Sequence, residues 1–281
     1  MCFIKVIINV IFYLLFMMPS NDDSNVRHRN TMNYGMNGDE RDVLVNTNSG
    51  SHDNKDGRLF WNEVLYCEGR KKPYLRGKLH LLLMACFPPL FWWYYEAGKE
   101  NAKGLALCYF YLLMNIITFV VSSSYHLGTW PKRTEIILQK IDHIMVATYV
   151  CSKYFPMALL LVPREIGLPH FFAAVGITIW NNYNVWNARS NSLRLVALAG
   201  VQLPFMYWYY QYMNELEWYM NWVAIVSQSI AGFFFMKEFT PSFFNHDIAT
   251  FHEIYHLIST ITGASMWIMN WSILRRTSNA N

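Results

Sequence analysis

The sequence predicts an all-α, polytopic membrane protein, a seven-transmembrane-helix bundle with a metal site inside the membrane. Three observations carry this reading. The 281 residues are 53% hydrophobic and 17% aromatic but only 15% charged, against about 25% charged in an ordinary soluble domain. From Leu79 onward, apolar stretches of spanning length follow one another with short polar connections between them. Several histidines and an aspartate stand at the ends of those stretches, where an ionisable side chain is costly unless it pairs, binds an ion or meets water. The net charge of +4 is spread over the connections without a basic stripe, which argues against a nucleic-acid partner. The five cysteines (Cys2, Cys67, Cys86, Cys108, Cys151) are scattered and odd in number, so neither a disulfide framework nor a cysteine-bound metal is expected.

Taken in order, residues 1–19 form an apolar N-terminal segment, broken by Lys5 and Asn9 and short for a span; signal, anchor and interfacial helix all stay open. Residues 20–73 form a polar tail. Its Ser20 to Arg58 part, rich in Asn, Asp, Ser and Gly, offers too little apolar surface to offset the entropy of ordering. The membrane domain, 74–274, is expected to hold spans at Leu79–Tyr95, Leu105–Tyr125, Asp142–Val162, Leu168–Trp186, Leu193–Tyr212, Trp218–Met236 and Ile248–Ile273, followed by a short tail, 275–281. The fourth is the weakest, because Asn181, Asn182, Asn184 and Asn187 crowd its end. Aromatic clusters such as Trp92 to Tyr95 and Tyr207 to Tyr210 suit interfacial belts. Arg70, Lys71, Lys72, Arg76, Lys78, Lys132, Arg133, Lys140, Arg189, Arg194 and Lys237 outnumber Lys99, Lys103, Arg164, Arg275 and Arg276 on the opposite side, so the N-terminus is expected in the cytosol.

That topology brings the ends of the second, third and seventh spans to one leaflet. His252 and His256, at i and i+4, share a helix face and suit one ion, with His126 as third ligand and water in the open position, the arrangement of a catalytic zinc site. Asp142 has two readings: a cap on the third helix, or a holder of the metal's water. Ser122, one turn before His126, reaches the same cavity or makes an interhelical hydrogen bond. The remaining histidines, His80 and His143 among them, are expected to be interfacial or structural. His252-Glu253-x-x-His256 also matches the zinc-protease signature, but here it opens a membrane span rather than a soluble-domain helix, and Glu253 is expected to contact the preceding loop. Lys153, deep in the third span, must face the bundle or snorkel, and no acidic partner at its depth is evident.

These residues, in this order, resemble the hemolysin III and progestin/adiponectin-receptor superfamily of seven-helix membrane proteins, and most closely its hemolysin III branch. The matching pieces are Ser122-x-x-x-His126, Leu138-x-x-x-Asp142-His143, Tyr154-x-Pro156 and Phe251-His252-Glu253-Ile254-Tyr255-His256, within roughly Tyr74 to Trp271. The resemblance implies Zn2+ held by His126, His252 and His256, with Asp142 and Ser122 as its aspartate and serine. Cys151-Ser152-Lys153-Tyr154-Phe155-Pro156 departs from the small residues usual there, so the cavity is expected to differ. Two functions follow from the likeness: a zinc-dependent hydrolase of a membrane lipid amide, ceramidase-like, or a hemolysin-like protein that permeabilises membranes and takes lipid as its target. A receptor with structural zinc is a third, and oligomeric state is left open.

Overall fold

The computed structural model describes residues 72–187, 207–237 and 239–279, whose regular structure is all helical, with no strand among them. The chain divides into two compact units, 1–52 and 53–281; the first lies outside the described residues, as do the expected N-terminal segment, the expected polar tail as far as residue 71 and residues 193–206 of the expected fifth span. The helices are α1 (Lys78–Met84), α2 (Phe87–Gly98), α3 (Ala102–Leu127), α4 (Lys132–Ser152), a π-helical turn (Met157–Leu161), α5 (Arg164–Trp186), a 3-10 turn (Tyr210–Tyr212), α6 (Glu215–Lys237) and α7 (Phe251–Ser278). Among the described residues, three stretches are long and apolar enough to cross a membrane: Ala102–Leu127, Lys132–Leu161 and Phe251–Ser278.

Two expected spans differ in their course. The first is two helices rather than one. Pro88 and Pro89 occupy the opening turn of α2, where their missing N–H groups cost nothing, whereas inside a continuous helix they would leave carbonyls unpaired. The third span is longer and broken. It starts at Lys132, so Asp142 is an interior residue and does not cap the helix, and Lys132, Arg133 and Lys140 lie on α4 rather than in a connection. The hydropathy signal failed here because the early turns of α4 are polar and yet inward-facing: Glu135 and Gln139 are buried. Near its other end, Pro156 cannot donate to the carbonyl one turn back, and the chain turns at Lys153 and Tyr154 before entering the π-helical turn.

Small side chains and polar ties set the packing. A Cβ on Gly167 would fall 1.8 Å from the Ala158 carbonyl oxygen, so only glycine lets the start of α5 lie on the π-helical turn. The helices α6 and α7 run antiparallel in close contact; Ser227 and Thr262 share a hydrogen bond of 2.8 Å midway along, and Ala231, Phe234, Ile254 and Ile258 form an apolar cluster towards the α7 N-terminus. In hydrocarbon, where water offers no competing partner, small contacts and interhelical hydrogen bonds of this kind carry association, at about 0.6 to 2 kcal/mol per bond. Large side chains such as Phe110, Leu113, Phe172, Ile179, Trp222 and Phe233 face outward, as a lipid-facing surface requires.

Candidate metal centre

The helix α7 begins with a capping box. Thr250 caps the first turn, and Glu253 Oε2 accepts from both the Thr250 backbone N–H and hydroxyl at 2.7 Å. Glu253 therefore contacts the preceding loop as expected, and it also forms a buried ion pair with Arg76, whose Nη2 donates to Thr250 Oγ1 at 3.3 Å. These contacts fix the rotation of the first two turns of α7 and with it the face that bears His252 and His256.

On that face three imidazoles converge. His252 Nε2 lies 3.1 Å from His126 Nε2, at the C-terminal end of α3, and 2.8 Å from His256 Nε2. Ligand atoms of the three residues all lie within 4.8 Å of one another. His126 is 1% and His252 4% exposed. A neutral imidazole carries one N–H and one lone pair, so His252 Nε2 can make a proper hydrogen bond with one of its two neighbours and never satisfies both. A cation shared by three lone pairs resolves the conflict. Zinc–nitrogen bonds of about 2.0–2.1 Å at tetrahedral angles separate ligand nitrogens by about 3.3 Å, so the 2.8 and 3.1 Å spacings would open slightly and the remaining pair lies within 4.8 Å. The donor set fits zinc.

Asp142 reaches this cluster from the middle of α4, with Oδ2 3.6 Å from His126 Nε2, the nitrogen that faces the other rings. Asp142 and Ser122 are both buried, and both line one pocket with His256, Thr118, Val146 and Tyr149. Every residue singled out for the site in the sequence is thus assembled in one place: three histidines in mutual contact, the aspartate beside them and the serine in the same wall.

Two further histidines are expected to be interfacial or structural. His143 Nδ1 lies 2.8 Å from the Gln139 carbonyl oxygen, one turn back on α4, in keeping with a structural role. His80 differs from expectation. It lines the pocket, stacks on Phe119 with ring centroids 4.7 Å apart and meets His256 edge-on at 4.3 Å. Its place in the apolar stretch after Lys78 gave no sign of this, because its contacts with Phe119 and His256 join segments far apart in the chain.

A strap of chain before α1 closes the site from one side. Lys72 Nζ donates to the carbonyl oxygens of His126 and Gly128, which the end of α3 leaves without helical partners. Partial burial lowers the Lys72 ammonium below its ordinary value, Glu135 opposing and Arg76 adding to the shift. Ser123 Oγ donates to the Gly77 carbonyl at 3.2 Å. Gly77 has φ +74°, and a Cβ there would lie 2.9 Å from His126 Cβ, so the close approach of the strap to His126 demands glycine.

A family model, haemolysin-III related, matches residues 69–268. The chain belongs to the haemolysin-III related family. Family membership and the apolar helices together make it a multi-pass membrane protein. The matched stretch contains Ser122, His126, Asp142, His252 and His256, and it leaves out the N-terminal tail. No curated protein and no solved structure matches the chain, so the further reading of this haemolysin-III related protein rests on its own residues.

One buried cation stands apart from the cluster. Lys153 is fully buried where α4 gives way to the π-helical turn, with Nζ 5.0 Å from the centre of the Tyr154 ring and no hydrogen-bond partner among the described residues. Its carbonyl accepts from Asn270 Nδ2 at 3.0 Å. The side chain faces the bundle.

Proposed function

We propose that this haemolysin-III related protein is a seven-span, zinc-dependent hydrolase that cleaves an amide bond of a membrane lipid, with its N-terminus in the cytosol and its site in the cytoplasmic leaflet. The observation that carries the reading is the convergence of three imidazole Nε2 atoms with one carboxylate on a pocket inside an apolar bundle. His126, His252 and His256 would hold the ion. When bound, zinc supplies Lewis acidity towards a carbonyl and lowers the pKa of water. Asp142, within reach of the same point, accepts a proton from the attacking water and is placed to return one to the departing nitrogen. Ser122, in the same wall, offers a hydroxyl donor where negative charge gathers on the carbonyl oxygen. The apolar part of the wall, which includes Leu83, Phe119, Val146 and Trp267, suits the hydrocarbon part of a lipid and keeps bulk water from the reacting bond.

The test pairs metal content with activity on detergent-purified protein. Mass spectrometry is expected to find about one zinc per chain, absent from a folded His252→Ala, His256→Ala double variant. Release of free fatty acid from a ceramide in mixed micelles is expected from the wild type only. Zinc without hydrolysis of any lipid amide would favour a receptor-like protein with structural metal. Dye release from liposomes that survives Asp142→Asn would favour the membrane-permeabilising reading that the family's description suggests. Absence of metal from folded wild-type protein would overturn the proposal.

A further inference from the structure

The pocket holds an aromatic group that neither the family match nor the ligand set assigns. His80 is the residue through which α1 touches the metal cluster. One face of its imidazole lies flat on Phe119, at 4.7 Å between centroids and 7° between planes. Its other contact is the edge-on meeting with His256, at 4.3 Å and 76°. Phe119 is held in turn by Phe87 of α2, at 5.7 Å and 60°, and Phe87 meets Trp267 of α7 at 5.7 Å. His256 is the ligand that needs such a stop. His126 and His252 are almost fully buried, whereas His256 is only partly buried, and its other ring neighbour outside the cluster is Tyr255 on its own helix.

We infer that His80 is a positioning residue which, resting on Phe119, holds the His256 ring in the orientation that turns Nε2 towards His126 and His252. The inference rests on the metal reading above. The mechanism is steric and dispersive. An imidazole on a helix can rotate about two side-chain bonds, and a ligand that spends much of its time elsewhere binds more weakly by the fraction of time it is misplaced. The outer partners that orient ligating histidines usually act by a hydrogen bond to the second ring nitrogen, and their loss typically weakens metal binding about 10–100-fold. Here the support is a ring face and edge instead. His80 itself is held by the seating of α1, which the Lys72 contacts, the Arg76–Glu253 ion pair and the Ser123–Gly77 hydrogen bond fasten to the ends of α3 and α7.

The test uses Co2+ in place of zinc on the full-length, detergent-purified protein, with affinity from competition against a chelator and ligand geometry from the visible absorption of the cobalt. For His80→Ala, affinity is expected to fall about 10–100-fold, the range seen when ligand-orienting partners are lost, with an altered cobalt spectrum. His80→Phe, which keeps a ring on Phe119, is expected to restore the wild-type spectrum and most of the affinity. Phe119→Leu removes the backing and leaves His80 in place; an intermediate loss is expected. Size-exclusion and circular dichroism confirm that each variant is folded. Unchanged affinity and spectrum in folded His80→Ala, or a His80→Phe protein as impaired as His80→Ala, would overturn the inference while leaving the metal centre intact. A folded wild type that takes up no cobalt would instead overturn the metal reading, and the inference with it.

Discussion

The two ends of α7 bury polar groups in opposite ways. At its C-terminal end, Glu217 is fully buried, yet its carboxylate accepts from the Asn214 backbone N–H at 3.0 Å and side chain at 3.1 Å, from Ser272 Oγ at 3.0 Å and from Arg276 at 2.8 Å. Donors and acceptors match, charge meets opposite charge, and the network closes upon itself. At the N-terminal end, three ring nitrogens of the same kind face one another and a carboxylate waits beside them. A network complete in its own partners fastens helices together. One whose members conflict in the absence of a cation is arranged for something the chain does not supply. Burial alone did not distinguish them; the accounting of donors and acceptors did.

The largest effect that would sharpen this contrast is loss of the metal. Replacing His252 and His256 together by alanine is expected to abolish zinc binding while the chain stays folded, since Glu253, Thr250 and Arg76 still fix the start of α7; zinc content and thermal unfolding in detergent check both halves. Next comes Asp142→Asn, which keeps the shape and removes the base. Zinc content is expected to stay near the wild-type level while hydrolysis of a lipid amide falls about 10²–10⁴-fold, the usual worth of a positioned acid–base group. Equal activity in the variant would show that Asp142 serves only to orient a ligand.

At the other end of α7, Glu217→Leu is expected to cost about 1–3 kcal/mol, as the buried Ser272 hydroxyl loses its acceptor while the exposed Asn214 and the half-exposed Arg276 turn to water or headgroups. Zinc content should not change. A fall in bound zinc equal to that seen on touching the histidine end would break the comparison, because the two networks would then act as one. The smallest effect is expected at Lys153. Replacing it with Met keeps length and removes an amine that has no hydrogen-bond partner among the described residues, so the unfolding midpoint should hold or rise slightly, with metal content unchanged. A clear drop in the midpoint would mean that the Tyr154 ring and the surrounding groups stabilise the ammonium more than its burial costs.

Much of the site was legible because its residues are exceptions in their surroundings. A histidine in an apolar stretch costs energy, an i, i+4 pair shares a helix face, and the ends of consecutive antiparallel spans meet. His126, Asp142, His252 and His256 follow from those rules with no knowledge of packing. His80 also stands in an apolar stretch, but nothing in the sequence ties it to His256. It has no partner at helical spacing, and its relation to His256 depends on a helix break at Ala85 and Cys86 and on the stacking surface of Phe119. The helix limits were misjudged for a related reason. Hydropathy locates the lipid-facing part of a helix, whereas a helix continues as long as its backbone hydrogen bonds do; α4 therefore runs through Glu135 and Gln139, which face the interior.

The sequence by itself determined that the chain is an apolar, helical membrane protein and which ionisable groups stand out at the ends of its apolar stretches, because composition, periodicity and the cost of charge in hydrocarbon are local properties. Only the tertiary structure decided that Asp142 lies inside a helix, that Glu253 pairs with Arg76, and that His80 stands against His256. Each of these depends on distances between segments far apart in the chain, and packing fixes those distances through a few close approaches, Gly77 against His126 and Gly167 against Ala158 among them.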